Sequence, residues 1–303
     1  MSATGLVRDL RRELDDAGLR GSFLVRDLDT GEELGIEPEL EFSTASLVKV
    51  PLAVATLERI RVGEIDGAEQ VLVQPGRSDL PMHTGMSRFR HPAKVSIEDL
   101  LYLSTCLSDN TAADTLFEVT PPGRVDAWLR SAGLRGITVR HKLRVLNRTP
   151  ADLLGPDHAH MAHSLAIGEG TAGRGHRIPQ LDVTRASSGS ARAFTDLLEA
   201  LWRPSVIDPG ISARVRELMR GNVLRHRLAP DFTSDVSTWS SKTGTLLNLR
   251  HEFGVVEHAD GQVFAVSVLT ESRVPAVHQP GAEALMARVA RSLRDHLRAH
   301  QAR

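Results

Sequence analysis

The sequence predicts an α+β fold in which a sheet is interrupted by a long helical insertion. Three observations predict it. Strand-like runs lie near the start (residues 22–28, with a return from Glu33) and again near the end (236–241, 249–257 and 263–270). Between them helical patterns dominate, from Ser46 to about residue 220. The chain also opens and closes on amphipathic helices, and its 303 residues at 41% hydrophobic content can bury a core without staples.

Residues 1–18 place Leu6, Leu10 and Leu14 on one helical face and stop at Gly18. This helix is charged throughout, with neither an apolar leader core nor a cleavage site, so the expected address is cytoplasmic. No stretch is apolar for long enough to span a bilayer. Strand 22–28 turns through Asp29-Thr30-Gly31 into the return strand. Helices are expected at 50–61, 97–106, 111–119 and 191–202. Asp260-Gly261 reads as a hairpin turn, and a last helix covers about 281–300. No internal repeat is visible.

The formal net charge is -1 and aromatics make up 4% of residues. Neither a strong global field nor a base-stacking surface is present, so nucleic acid and anionic membranes are not expected partners. The single cysteine, Cys106, lies in an apolar helical run and reads as a small core residue.

Three short motifs carry the chemistry: Ser46-Leu47-Val48-Lys49, Ser108-Asp109-Asn110 and Lys242-Thr243-Gly244. A helix starting at Ser46 sets Ser46 and Lys49 one turn apart on one face. A serine hydroxyl attacks only once a base takes its proton, and a desolvated lysine beside other cations can be that base. The helix N-terminus adds partial positive charge where an oxyanion would develop. Taken singly, the first two motifs read as helix caps and the third as a strand end with a turn glycine. Ordered together, with Leu47, Val48 and Leu52 burying the first, they describe an active-site serine enzyme.

On these motifs, on Ser108-Asp109-Asn110-Thr111-Ala112 and on Leu224-Arg225-His226-Arg227-Leu228, the chain resembles the class A β-lactamase family over most of its length. The resemblance implies a β-lactamase/transpeptidase-like α+β fold. A five-stranded antiparallel sheet would be flanked by the terminal helices (1–42 and 220–303), and an all-helical lobe (43–219) would carry the nucleophile and the second motif. It implies that Ser46 is acylated with Lys49 as base, and that Ser108 relays a proton to the leaving nitrogen. The backbone N–H groups of Ser46 and Thr245 would form the oxyanion hole. Asn110, Lys242, Thr243 and Gly244 would bind a small-molecule substrate bearing a carboxylate, and Asp109 would hold its loop. No cofactor or metal is implied.

The pattern breaks at one point. The family's deacylating glutamate belongs to a Glu-x-x-Leu-Asn stretch, and here Leu146-Asn147 matches its end, which puts Leu143 where the base should be. No glutamate occurs between Glu118 and Glu169. The substitutes on offer are Glu169, Asp152, Asp157 and His141, in or beside a Gly- and His-rich loop over 149–182. Within that loop His158, His160 and His163 have spacings that zinc can use, but they read as scattered loop histidines. The expected activity is serine hydrolysis of a β-lactam or related amide or ester. The alternatives left open are a β-lactamase-like esterase or amidase on a non-antibiotic substrate, a slow-turnover penicillin-binding protein, a protein that acylates once and sequesters its ligand, and an interaction protein on an inactive scaffold. Oligomeric state is not legible.

Overall fold

The computed structural model describes residues 2–75, 84–147, 154, 156–167, 174–274, 276 and 278–301. Its centre is a five-stranded antiparallel sheet in the order β2-β1-β9-β8-β7. The strands are β1 (Leu19–Asp27), β2 (Glu33–Ile36), β7 (Ser237–Leu246), β8 (Leu249–His258) and β9 (Val263–Ser272). The earliest strand is thus paired with the last, Phe23 lying opposite Val268.

Alternation along the strands sends successive side chains to opposite faces and so builds two cores. On one face Phe23, Val25, Trp239, Phe264, Val266 and Val268 pack on Leu6, Leu10 and Leu14 of α1 (Ala3–Asp16). Met286, Val289 and Leu293 of the C-terminal helix Pro280–Gln301 complete that layer. Each buried leucine of α1 contributes about 1.5–3 kcal/mol, enough to hold an otherwise charged helix in place. On the other face Leu24, Phe253, Val255 and Leu269 meet the helical insertion. That insertion includes α2 (Lys49–Arg61), α3 (Ile97–Cys106), α4 (Asn110–Val119), α5 (Pro122–Ser131) and the helices Ala191–Trp202 and Pro209–Arg220.

Two details depart from the sequence reading. The insertion carries two small ladders, β3 (Glu41–Ser43) with β6 (Ser188–Ser190) and β4 (Gln70–Val73) with β5 (Ala93–Ser96). At three and four residues these strands are too short for an alternation signal. The Lys242-Thr243-Gly244 motif also lies inside β7 rather than at its end, because pairing with β8 continues to Leu246 opposite Leu249. Among the described residues no helix is long and apolar enough to cross a membrane.

Candidate active site

The turn that carries Ser46 is built by β3. Thr44 N donates to Ser187 O at 2.9 Å, extending the β3–β6 ladder to the edge of the motif. His251, fully buried on β8, accepts from Thr270 N and donates through Nε2 to Ser43 O at 3.0 Å. Burial first, then the neighbouring Arg227, pushes this imidazole down to about 3, so it is a neutral structural clamp. The chain then turns through Ala45 at φ 46° into a 3-10 turn, Ala45–Val48, and only at Lys49 into α2. The expected α-helix from Ser46 does not form. In it Pro51 would have to donate to Leu47 O, and proline has no N–H. At the third position of α2 that missing donor costs nothing.

The first two motifs meet through Lys49, which is fully buried. Its Nζ donates to Ser108 O at 2.6 Å, to Asn110 Oδ1 at 2.7 Å and to Ser108 Oγ at 3.2 Å. Ser108 itself has φ 59°, a left-handed conformation held by its surroundings. Asp109 does much of that holding. As N-cap of α4 it accepts from Thr111 N and Ala112 N, and also from Ser87 Oγ and Met86 N. Gly85, at φ 62°, lets the 85–88 turn approach, since a Cβ there would collide with Asp109 Oδ2.

The third motif closes the site from the sheet side. Lys242 Nζ donates to Ser108 Oγ at 2.9 Å and to Thr243 O at 3.0 Å, so both motif lysines converge on one hydroxyl. Thr243 Oγ1 is buried and without a hydrogen-bond partner among the described residues. Such an unsatisfied hydroxyl is what a ligand acceptor would complete. Gly244 has a packing role that the sequence reading did not foresee. A Cβ there would meet Thr44 O at 3.1 Å and the Leu47 side chain at 3.2 Å, so the glycine lets β7 press against the turn that carries Ser46.

Behind the strand lies a frame that the motifs do not mention. Arg227 is 1% exposed and donates to Gly244 O, His251 O and Thr245 Oγ1, and through Nε to Glu283 Oε1 at 2.9 Å. Burial alone would raise the Glu283 carboxyl, but His226 and Arg227 together hold it at about 2. Glu252 is fully buried on β8 opposite Thr243. On α4, Asp114 accepts from Leu143 N at 2.6 Å and Arg144 N at 2.8 Å. It stands one turn beyond Asn110, a spacing that could have flagged it in the sequence. Glu252 and Glu283 left no comparable signal, because their roles arise from contacts across the sheet.

Electrostatics separate the two lysines. Burial drives Lys49 down to about 7, with Asp109 and Asp114 pulling the other way. Burial, Lys49 and Arg227 push Lys242 well below the ordinary lysine range, and Glu252 opposes them. A lysine near 7 can give up its proton at neutral pH, which suits a general base.

The substitute bases fare unevenly. Leu143 is buried, 2% exposed, and Asp114 pins its backbone. His141 is half-buried with both ring nitrogens engaged, Nδ1 with Lys142 O and Nε2 with Ser187 N. Asp157, His158 and His160 are exposed. Asp152, Glu169 and the His163 side chain lie outside the described residues, as does part of the 149–182 loop. No group of three or more metal-ligating side chains occurs among the described residues.

Comparison with known proteins agrees with this geometry. A profile of the Beta-lactamase enzyme family matches residues 5–297. The Beta-lactamase regulatory protein BlaB of Streptomyces cacaoi is 64% identical over 309 residues, covering 98% of this chain and 99% of that protein. Among solved structures, a leucine-to-glutamate mutant of PBP-A in an acyl-enzyme complex with penicillin G has a TM-score of 0.75. It is 16% identical, covering 98% of this chain and 97% of that one. A variant of the last common ancestor of Gram-negative class A β-lactamases, bound to a transition-state analogue, has a TM-score of 0.77 at 20% identity, covering 98% and 99%. These structural likenesses establish the β-lactamase/transpeptidase-like fold. With a family match spanning nearly every residue, the chain belongs to the Beta-lactamase enzyme family.

Proposed function

We propose that this protein is a serine-acylating sensor in the control of β-lactamase production, one that reacts with its ligand and releases it slowly. The observation that carries the reading is a mismatch within one cleft. Lys49 and Lys242 converge on Ser108, whereas the sequence register puts Leu143, which is buried, where the family carries its deacylating glutamate. The high identity to a protein named as a β-lactamase regulator supports the same reading.

In this mechanism neutral Lys49 takes the proton of Ser46 Oγ as it attacks an amide or ester carbonyl. The oxyanion forms against the N–H groups of Ser46 and Thr245. Ser108, hydrogen-bonded to both lysines, passes a proton to the leaving nitrogen. Lys242 and the unpartnered Thr243 hydroxyl receive a ligand carboxylate, while Asn110 holds the side-chain amide. The acyl group then stays on Ser46, because Leu143 offers no carboxylate to activate water.

Intact-protein mass spectrometry tests this after mixing with excess benzylpenicillin and a chromogenic cephalosporin, with colour release followed in parallel. A lasting adduct on Ser46 with about one turnover is the expected result. Sustained colour release without an adduct would make the protein a true hydrolase with its base elsewhere. Neither adduct nor turnover would remove β-lactams as ligands and leave another ester or amide as the acyl donor.

A further inference from the structure

We propose that His141 is a positioning residue: its neutral imidazole clasps Ser187, and through Ser187 it holds the turn that carries Ser46. This role rests on the acylation reading above, since it concerns how the attacking serine is held. It also gives the histidine a task other than that of a substitute base.

The clasp is built from backbone and ring together, where residues 138–141 lie along residues 186–188. Thr138 N donates to Ser188 O at 2.9 Å, and Ser188 N returns a bond to Thr138 O at 3.1 Å. Arg140 N donates to Ser187 Oγ at 3.0 Å, and its guanidinium donates to Ala186 O at 2.5 Å. His141 closes the row, its Nε2 accepting from Ser187 N at 3.0 Å. On the opposite side the Ser187 carbonyl accepts from Thr44 N at 2.9 Å. Thr44 is the residue that opens the 3-10 turn Ala45–Val48. One serine thus stands between the segment that leads to Leu143 and the turn that leads to Ser46.

The tautomer follows from the partners. Ser187 N–H can only donate, so Nε2 carries no proton and the single ring proton sits on Nδ1. From there it is donated to Lys142 O at 3.0 Å. A ring that commits both nitrogens in this way has none left to activate water. Protonating Nε2 would set two N–H groups against each other in place of a part-buried hydrogen bond. Ser187 would have to withdraw, and its hold on Thr44 N would go with it.

The surroundings keep the ring neutral. Burial lowers its proton affinity most, the bond to Lys142 O pulls the other way, and Arg140 adds to the lowering, so His141 lies below the ordinary 6.5. Arg140 is itself tied to Ala186 O and Ser188 Oγ, and Lys142 turns its ammonium to Glu118. The acids of the neighbouring helices are committed elsewhere. Asp126 of α5 serves Val139 N and Arg130, and Asp114 of α4 serves Leu143 N and Arg144 N. Ala186, Ser187 and Ser188 bring no charge of their own. The clasp is therefore complete at neutral pH and is lost as pH falls below 6.5 through the lowered value.

Hydrogen exchange tests this without a ligand. Backbone amides are followed by NMR in wild type, His141→Gln and His141→Phe from about pH 8 to about pH 4.5, while imidazole nitrogen-15 shifts report the tautomer. In wild type the ring should carry its proton on Nδ1. The protection factors of Ser187 and Thr44 should fall together by about tenfold as the ring titrates, matching the loss of one hydrogen bond. Glutamine offers an uncharged acceptor in place of Nε2, so His141→Gln should keep both amides protected across the range. His141→Phe should lower both by the same factor at every pH and leave the amides paired between β1 and β9 unchanged. A folded His141→Phe in which Thr44 keeps its wild-type protection overturns the proposal. So does a wild-type ring that carries its proton on Nε2, a criterion that stands even if neither variant folds. Failure of Ser46 labelling would sink the acylation reading and leave these amides unmoved.

Discussion

Replacing Leu143 by glutamate should turn a slow acyl-protein into a hydrolase. Leu143 is 2% exposed, so the substitution forfeits its burial, about 1.5–3 kcal/mol. At roughly 2–4 °C per kcal/mol for a chain somewhat shorter than this one, the thermal midpoint should fall by roughly 3–12 °C. The loop register should survive, because Asp114 holds residues 143 and 144 by their backbone N–H groups and not by a side chain. Asp114 also places a like charge near the new carboxylate, which raises its proton affinity toward the range useful for a base. A positioned general base is worth about 10²–10⁴ in rate, or about 2.7–5.4 kcal/mol of barrier. The assay is to acylate Ser46, remove free ligand and follow adduct decay by mass spectrometry. A folded Leu143→Glu protein that acylates as wild type does, yet keeps its adduct equally long, would refute the assignment of the missing base to this position.

Ser46→Ala should abolish covalent labelling while shifting the thermal midpoint by no more than the equivalent of about 0.5–1 kcal/mol, checked by mass spectrometry beside calorimetry. The rate of acylation should rise as pH increases through about 7, because Lys49 acts in its deprotonated form. A rate that falls over that range would exclude Lys49 as the base. Gly85→Ala must put a side chain at φ 62° against Asp109, so denaturant unfolding should show a loss of about 2 kcal/mol or more, with weaker labelling. Glu283 has a depressed pKa, so its stabilisation is complete above the unfolded value of 4.5 and is lost as pH falls toward about 2. Glu283→Gln should therefore cost on the order of 2 kcal/mol at pH 7, allowing for screening at a half-buried site, and the gap to wild type should close between pH 4.5 and 2.

The elements with strong periodicity were legible in advance. Leu6, Leu10 and Leu14 announce the first helix, and Ile97–Cys106 and Ala191–Trp202 appear where their patterns place them. The meeting of Lys49, Ser108, Asn110 and Lys242 was legible for a different reason: they sit in contiguous motifs, so a short reading frame catches them. What stayed hidden depends on contacts between distant segments. Glu252 looks like any strand glutamate until Trp239, Ser241 and Leu228 are seen to surround it. Arg227 stands beside two other charged or titratable residues in the sequence, and only the fold shows it buried against Gly244 and Thr245. The close fit of β7 at Gly244 against the turn that carries Ser46 also depends on segments distant in the sequence.

The sheet order has a consequence for the making of the protein. β1 leaves the ribosome more than 200 residues ahead of its neighbour β9, and β7 and β8 are joined to β1 only through β9. During synthesis Ser46, Lys49 and Ser108 are present long before Lys242 has a sheet to stand on. Long-range pairing of this kind is slow and leaves early strands exposed while they wait. A nascent or truncated chain can therefore carry every letter of the first two motifs and still lack the assembled cleft. The sheet that carries Lys242 is joined to β1 only once β9 has been made, so a truncation ahead of β9 would unseat Lys242 without removing any motif residue.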